Sequence, residues 1–388
     1  MSLSKFLDVL QLKPASGTAS TIDPPPGVTS SALRFESVNP PFNLGRDDID
    51  GVPYGGCAIA VAVAAAFHAV PHAASHNEWT IYSAQGSYHS PASIKTPFLI
   101  FVDTVRNSRS FATRSIRVCQ LASVKNVSST PEPVRLRSII SSSIDFILRP
   151  NPSSSDYREQ IPKLVYSPTP RRKFSHHTDI PLSAHEDVLH RVKVGTLPKS
   201  ALRFNKTFEI VIRMMDSKAP PESLWYETIY GQVHVLDSSL EREGLPMPER
   251  SAHSWVRTTC DLSARDTLAK ARAESGCGTA LSTSRKAANA AGVAFLLDPL
   301  AWTPLNFANV SPADMDLAAS LEFAVRYHAD SFDIEKWMAR EWTTIAAGDE
   351  RAYSELRMWD EDGKILGTCT QVTNLRVKRT KMKAAAKL

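Results

Sequence analysis

Apolar residues run along the chain in two rhythms. Two segments are apolar on nearly every side. The first, residues 54–70 (YGGCAIAVAVAAAFHAV), lies between Pro53 and Pro71; the second is residues 282–302 (STSRKAANAAGVAFLLDPLAW). The second has Ser282, Thr283 or Ser284 as candidate N-caps and Pro299 near its end. A helix with no polar face must be buried all round, so each segment predicts a helix that something else wraps. The other rhythm is alternation with period two, which marks strands with one face in the core. It follows the first helix at 79–90, 96–122 and 136–148, with a turn at Asn107-Ser108. It follows the second at 317–328, 341–348, 351–363 and 364–377, with a hairpin signal at Asp362-Gly363. A further strand at 206–215 opens the second half. A buried helix followed by three or four antiparallel strands therefore occurs twice, as a repeat of architecture rather than of residues. Within SLEFAVRYHA (320–329), Leu321, Phe323, Val325 and Tyr327 share one face. Glu322, Ala324, Arg326 and His328 share the other, and pattern alone turns Glu322 toward water.

This organisation divides the chain into a first domain (1–150), a Pro/Ser-rich linker or surface excursion (151–200), a second domain (201–377) and a basic tail (378–388). With 388 residues, 43% of them hydrophobic, the chain is long enough for a sizeable core in each domain. The net charge is +5, but six basic residues and no acidic one lie between Arg376 and the end. Without those six the body carries −1, so no basic face for nucleic acid is expected. The five cysteines are scattered without CxxC spacing, which indicates neither a zinc site nor a redox dithiol and suits a reducing compartment. His176-His177 has no ligand at metal spacing and reads as part of a solvated loop. The N-terminal stretch MSLSKFLDVLQLKPASG reads as a short amphipathic helix rather than a secretory signal. The longest apolar run, 57–67, is far below the ~20 residues needed to span a bilayer, so no membrane span is expected.

Four stretches, in order, resemble the acyl-CoA thioesterase II family: VPYGGCAIAVAVAAAFHAVP (52–71), SYHSPASIKTPFLIFVDTVRNSRSFATRSIRVCQ (87–120), SLEFAVRYHADSFDIEKWM (320–338) and WDEDGKILGTCTQVTNLR (359–376). The resemblance covers most of 1–125 and 280–377. It implies an α+β double hotdog, two tandem domains that each wrap an antiparallel sheet around a long buried helix. It also implies hydrolysis of fatty or other acyl-CoA to the acid and free coenzyme A, with no metal or cofactor. Such a reaction needs a positioned water, a base and donors for the developing oxyanion.

In the family an Asp, a Thr and a Gln on strands of the second domain hold that water. Carried over residue by residue, the Gln falls on Gln371 and the Asp on Glu322. The Thr falls on Ile345; a one-residue bulge would substitute Thr344, while Thr343 shares the face of Ile345. Gly55 and Gly56 match the Gly-Gly start of the first helix and are candidate oxyanion donors, or serve packing only. Cys57 follows them where the family has Gln, and reads as a packed thiol. Gln85 occupies a family His position, and Arg106, Arg109 and Arg114 are candidates for coenzyme A phosphates or are solvated. The terminal Ala386-Lys387-Leu388 resembles the Ser-Lys-Leu peroxisomal address, which implies an import receptor as partner and the peroxisome, or else the cytoplasm, as location. A homodimer follows by analogy with the family. The alternative to an enzyme is a non-catalytic double hotdog that binds acyl-CoA or a protein. No G-x-S-x-G elbow for a serine hydrolase is present.

Overall fold

Two buried helices organise the molecule, as their uniform apolarity requires. The computed structural model describes residues 9–42, 53–74, 77–122, 135–150, 166–183, 185–199, 201–202, 215–230, 245–246, 249–262, 281, 283–298 and 315–377. Helix α1 (Gly56–Ala69) is buried at every residue from Gly56 to Ala66. Helix α2 (Arg285–Leu296) begins at Ser284, whose side chain accepts a hydrogen bond from Ala287 N at 3.2 Å, and is buried from Ala287 onward. Alanine dominates both, so strands can approach the helix backbones closely.

Among the described residues, twelve antiparallel strands surround them: β1 (Leu12–Pro14), β2 (Leu33–Ser37), β3 (Asn77–Tyr88), β4 (Leu99–Asn107), β5 (Phe111–Leu121), β6 (Leu136–Pro150), β7 (Met215–Lys218), β8 (Ser251–Thr258), β9 (Met315–Tyr327), β10 (Met338–Gly348), β11 (Arg351–Trp359) and β12 (Ile365–Val377). They form one sheet in the order β1-β2-β4-β5-β6-β3-β9-β12-β11-β10-β8-β7. Reading outward from the β3–β9 seam gives β3-β6-β5-β4-β2-β1 on one side and β9-β12-β11-β10-β8-β7 on the other. The two halves are thus the same motif, the arrangement expected of a double hotdog. The seam pairs Ser83–Ser87 with Glu322–Arg326, so the sheet passes from one repeat to the other without a break. One apolar core spans both repeats and contains residues of each helix, among them Ile59, Val63, Val293 and Phe295.

Part of the 151–200 excursion departs from the sequence expectation. Residues 166–180 form a strap across the outer face of the second repeat's sheet, packing Phe174 and Ile180 against Trp255, Trp337, Ala339, Trp359 and Ile365. Two indoles account for it: Trp359 Nε1 donates to Pro168 O at 2.7 Å and Trp255 Nε1 to Ser175 O at 3.0 Å. A buried indole N–H needs an acceptor, and the strap's backbone supplies it. His177 is correspondingly buried rather than solvated, and lies 2.7 Å from Glu361. The expected strand at 206–215 falls largely outside the described residues, as do the N-terminal segment 1–8 and the tail 378–388. Among the described residues no helix is long and apolar enough to cross a membrane.

Candidate active site

The two helices pack against each other, with the N-terminus of α1 beside the C-terminus of α2. Tyr54 OH, just before α1, donates to Phe295 O at 2.9 Å. Arg340 on β10 donates from Nη1 to Leu296 O at 2.9 Å, and from Nε and Nη2 to Ser254 Oγ. Burial lowers the Arg340 pKa to about 10, which still leaves a cation at neutral pH, beside the negative end of the α2 dipole. The chain then leaves the helix and drops Asp298 into the space between the repeats, where its side chain is 4% exposed.

Three donors converge on that carboxylate. Gln371 Nε2 on β12 donates to Oδ1 at 2.6 Å, and Tyr88 OH on β3 donates to the same oxygen at 3.0 Å. The Gly56 backbone N–H, at the start of α1, also donates to it. The glycines are required by this approach. A Cβ on Gly55 would lie 2.8 Å from Tyr88 OH and 2.9 Å from Asp298 Oδ2, and one on Gly56 would meet the Tyr54 ring and Phe295 O.

Burial pushes the Asp298 carboxyl from 3.8 up to about 7, although the bonds from Gln371, Tyr88 and Gly56 pull the other way. Burial, with the charge of Asp298 added, raises both Tyr88 and Tyr54 well above the usual phenol range, so both stay protonated donors. It also raises the Cys57 and Cys369 thiols, which removes them as nucleophiles. Gln371 Oε1 is buried without a hydrogen-bond partner among the described residues. A buried amide oxygen in that state invites a donor. Carboxylate and amide are therefore paired through one end of the amide, with its other end open to a small polar ligand.

The residues singled out in the sequence separate into two groups. Gln371, Gly55 and Gly56 come together around Asp298. Glu322 does not: it is exposed and pairs in register with Val372, while Gln371 pairs with the inward-facing Phe323. Adjacent strand residues point to opposite faces, so Glu322 and Gln371 lie on opposite sides of the sheet and share no site. The β10–β11 ladder slips at Ile345; Thr344 is buried, its Oγ1 is 3.2 Å from Ser354 Oγ, and Ser354 is the register partner of Gln371. Thr343, one residue earlier, lies on the opposite face beneath the strap with Ala339 and Glu341, away from the cluster. Gln85 is on the outer face, where it accepts from Arg326 Nη2 at 3.1 Å, and so is not a site residue. Arg114 is fully buried: its guanidinium holds Ala69 O, at the end of α1, with Nε at 3.0 Å and Nη2 at 2.9 Å. It also holds Arg106 O, Thr113 O and Asn107 Oδ1, which leaves it no reach for a phosphate. Arg109 is exposed in the turn between β4 and β5. Tyr54 belongs to the Tyr54-Gly55-Gly56 entry that the sequence marks, whereas Asp298, Tyr88 and Arg340 carry no such mark. The signal for Asp298 was present: a lone carboxylate at the end of the apolar run AFLLD is a polar exception that calls for a reason.

Comparison with known proteins agrees with this architecture. Residues 44–131 match the acyl-CoA thioesterase N-terminal domain, and residues 215–375 match the acyl-CoA thioesterase C-terminal domain. No curated protein sequence matches the chain. The tesB protein of Mycobacterium avium subsp. paratuberculosis is similar in structure, with 12% identity and a TM-score of 0.56 over 97% of this chain and 99% of that one. The acyl-CoA thioesterase II TesB2 of Mycobacterium marinum gives 13% identity and a TM-score of 0.52, again over 97% and 99%. A hot dog fold protein of Alicyclobacillus acidocaldarius gives 13% and 0.50 over 94% and 99%. At these identities the structural likeness shows the double hotdog fold.

Proposed function

The chain belongs to the acyl-CoA thioesterase family and is a thioester hydrolase; from that premise we propose that it cleaves acyl-CoA with a water oriented by Gln371 and deprotonated by Asp298. The water donates one hydrogen to Gln371 Oε1 and gives its other proton to the Asp298 carboxylate. Its oxygen attacks the thioester carbonyl carbon, and the carbonyl oxygen becomes an oxyanion against the start of α1. There the positive end of the helix dipole favours negative charge. Collapse of the tetrahedral intermediate breaks the carbon–sulfur bond. The coenzyme A sulfur leaves with the proton that Asp298 took up, and the free acid remains. A carboxyl that titrates near pH 7 is matched to both halves of this exchange.

The observation that carries the proposal is the buried 2.6 Å bond between Gln371 Nε2 and Asp298 Oδ1, with Gln371 Oε1 left for water. Titration of free thiol released from acyl-CoAs by the purified protein tests it. Asp298→Asn is expected to lose ~10²–10⁴ in rate, the usual worth of a positioned base. Release that persists in that variant refutes the assignment. Saturable acyl-CoA binding without release would identify a binding protein instead. Fatty acyl groups as substrates, a homodimer, and delivery to the peroxisome through Ala386-Lys387-Leu388 belong to the same proposal. They follow from the family resemblance and the terminal residues.

A further inference from the structure

Asp298 Oδ1 accepts from two side chains that belong to different repeats, Gln371 on β12 and Tyr88 on β3. The ring of Tyr88 packs edge-on against Phe323 with centroids 5.6 Å apart, a contact that a phenylalanine would make equally well. Packing therefore does not explain the hydroxyl. The backbone around it does: position 55 has no Cβ, and one placed there would lie 2.8 Å from the hydroxyl oxygen. Among the described residues, the other titratable or charged groups around Asp298 are Tyr54, Cys57 and Cys369, with Arg340 facing Tyr54 from β10. Buried phenols and thiols are uncharged near neutrality, so burial, opposed by the hydrogen bonds, sets the local balance rather than an adjacent anion.

We infer that Tyr88 is a positioning residue for hydrolysis: its hydroxyl holds Asp298 Oδ1, stabilises the ionised carboxylate, and leaves Oδ2 to take the proton from water. The inference rests on Asp298 being the base. It adds β3 of the first repeat, beside the start of α1, to a reaction whose base and amide both come from the second.

Tyr88→Phe in the full-length protein tests it, with kcat/KM followed from about pH 5 to 9. Losing a hydrogen bond to a charged group is expected to move the acid limb upward by about one pH unit. Activity then falls about five-fold at pH 7, recovers toward the parent value at high pH, and KM stays nearly constant. A uniform loss at all pH values with the limb unmoved, or no change at all, overturns the inference. A carbon-13 titration of the Asp298 carboxyl, assigned with Asp298→Asn, gives the same answer without turnover. Its midpoint rises in Tyr88→Phe if the inference holds, and stays put if it does not. Should the parent release no thiol, the catalytic reading fails by itself, while the carboxyl titration still decides what Tyr88 does to Asp298.

Discussion

Asp298 is costly to ionise where it stands, and that cost is a handle on its role. Its carboxyl titrates near 7 in the folded protein against an ordinary 3.8, so the folded state keeps a proton that the unfolded chain has released. The stability this confers is fully present below about pH 4 and is lost as pH rises through about 7. Asp298→Asn, which never ionises, is therefore expected to be the more stable protein at pH 8. The gain is on the order of 4 kcal/mol, read as a higher Tm, and the gap closes toward pH 4. A less stable Asn variant at pH 8 would show that the carboxylate is better compensated than its three donors suggest. Glu322→Gln is expected to leave the rate within about two-fold and Tm nearly unchanged, as for other exposed surface positions. The sequence contained the warning about Glu322: alternation already set Phe323, Val325 and Tyr327 inward and Glu322 outward. A match to the family Asp by position does not turn a side chain through the sheet. Asp298 was harder to place because it lies past the end of α2, where neither the helical nor the strand period assigns a face.

Each helix ends on a buried arginine. Arg340 holds Leu296 O of α2 and Arg114 holds Ala69 O of α1, so both repeats finish their helix by the same device from different strands. Replacing either with Met leaves buried helix carbonyls unpaired, and a loss of about 3 kcal/mol in chemical denaturation is expected for each. The two variants differ in function. Asp298 follows Leu296 by two residues, so Arg340→Met is also expected to lower kcat. Arg114→Met is expected to keep the parent kcat per folded molecule, which an active-site titration separates from lost protein. Equal kcat losses in both would place Arg114 nearer the chemistry than its bonds indicate. Gly55→Ala is expected to cost about 100-fold in kcat, because its Cβ displaces Tyr88 or Asp298 by up to an ångström. The helices themselves were legible from uniform apolarity. The arginines were not, since a basic residue in an alternating stretch reads as solvated until the carbonyls it serves are known.

At the scale of the whole molecule, the mirrored strand order and the β3–β9 seam put one reactive cluster between two similar halves. That repeat was readable because helix and strand periods recur in the same order. The strap at 166–180 was not: its contacts come from Trp255 and Trp359, each far from it in sequence. Removal of Ala386-Lys387-Leu388 is expected to leave thiol release unchanged while abolishing peroxisomal delivery of a fluorescent fusion. Delivery that survives the deletion would remove the address from the proposal. The central claim, hydrolysis through Asp298, is tested most directly by the pH dependence of thiol release from acyl-CoA by the full-length protein, alongside Asp298→Asn. The expected result is release that rises through a midpoint near pH 7 in the parent and is lost in a variant that still binds acyl-CoA. Undiminished release by the variant, or a parent that binds acyl-CoA and never releases thiol, would contradict it.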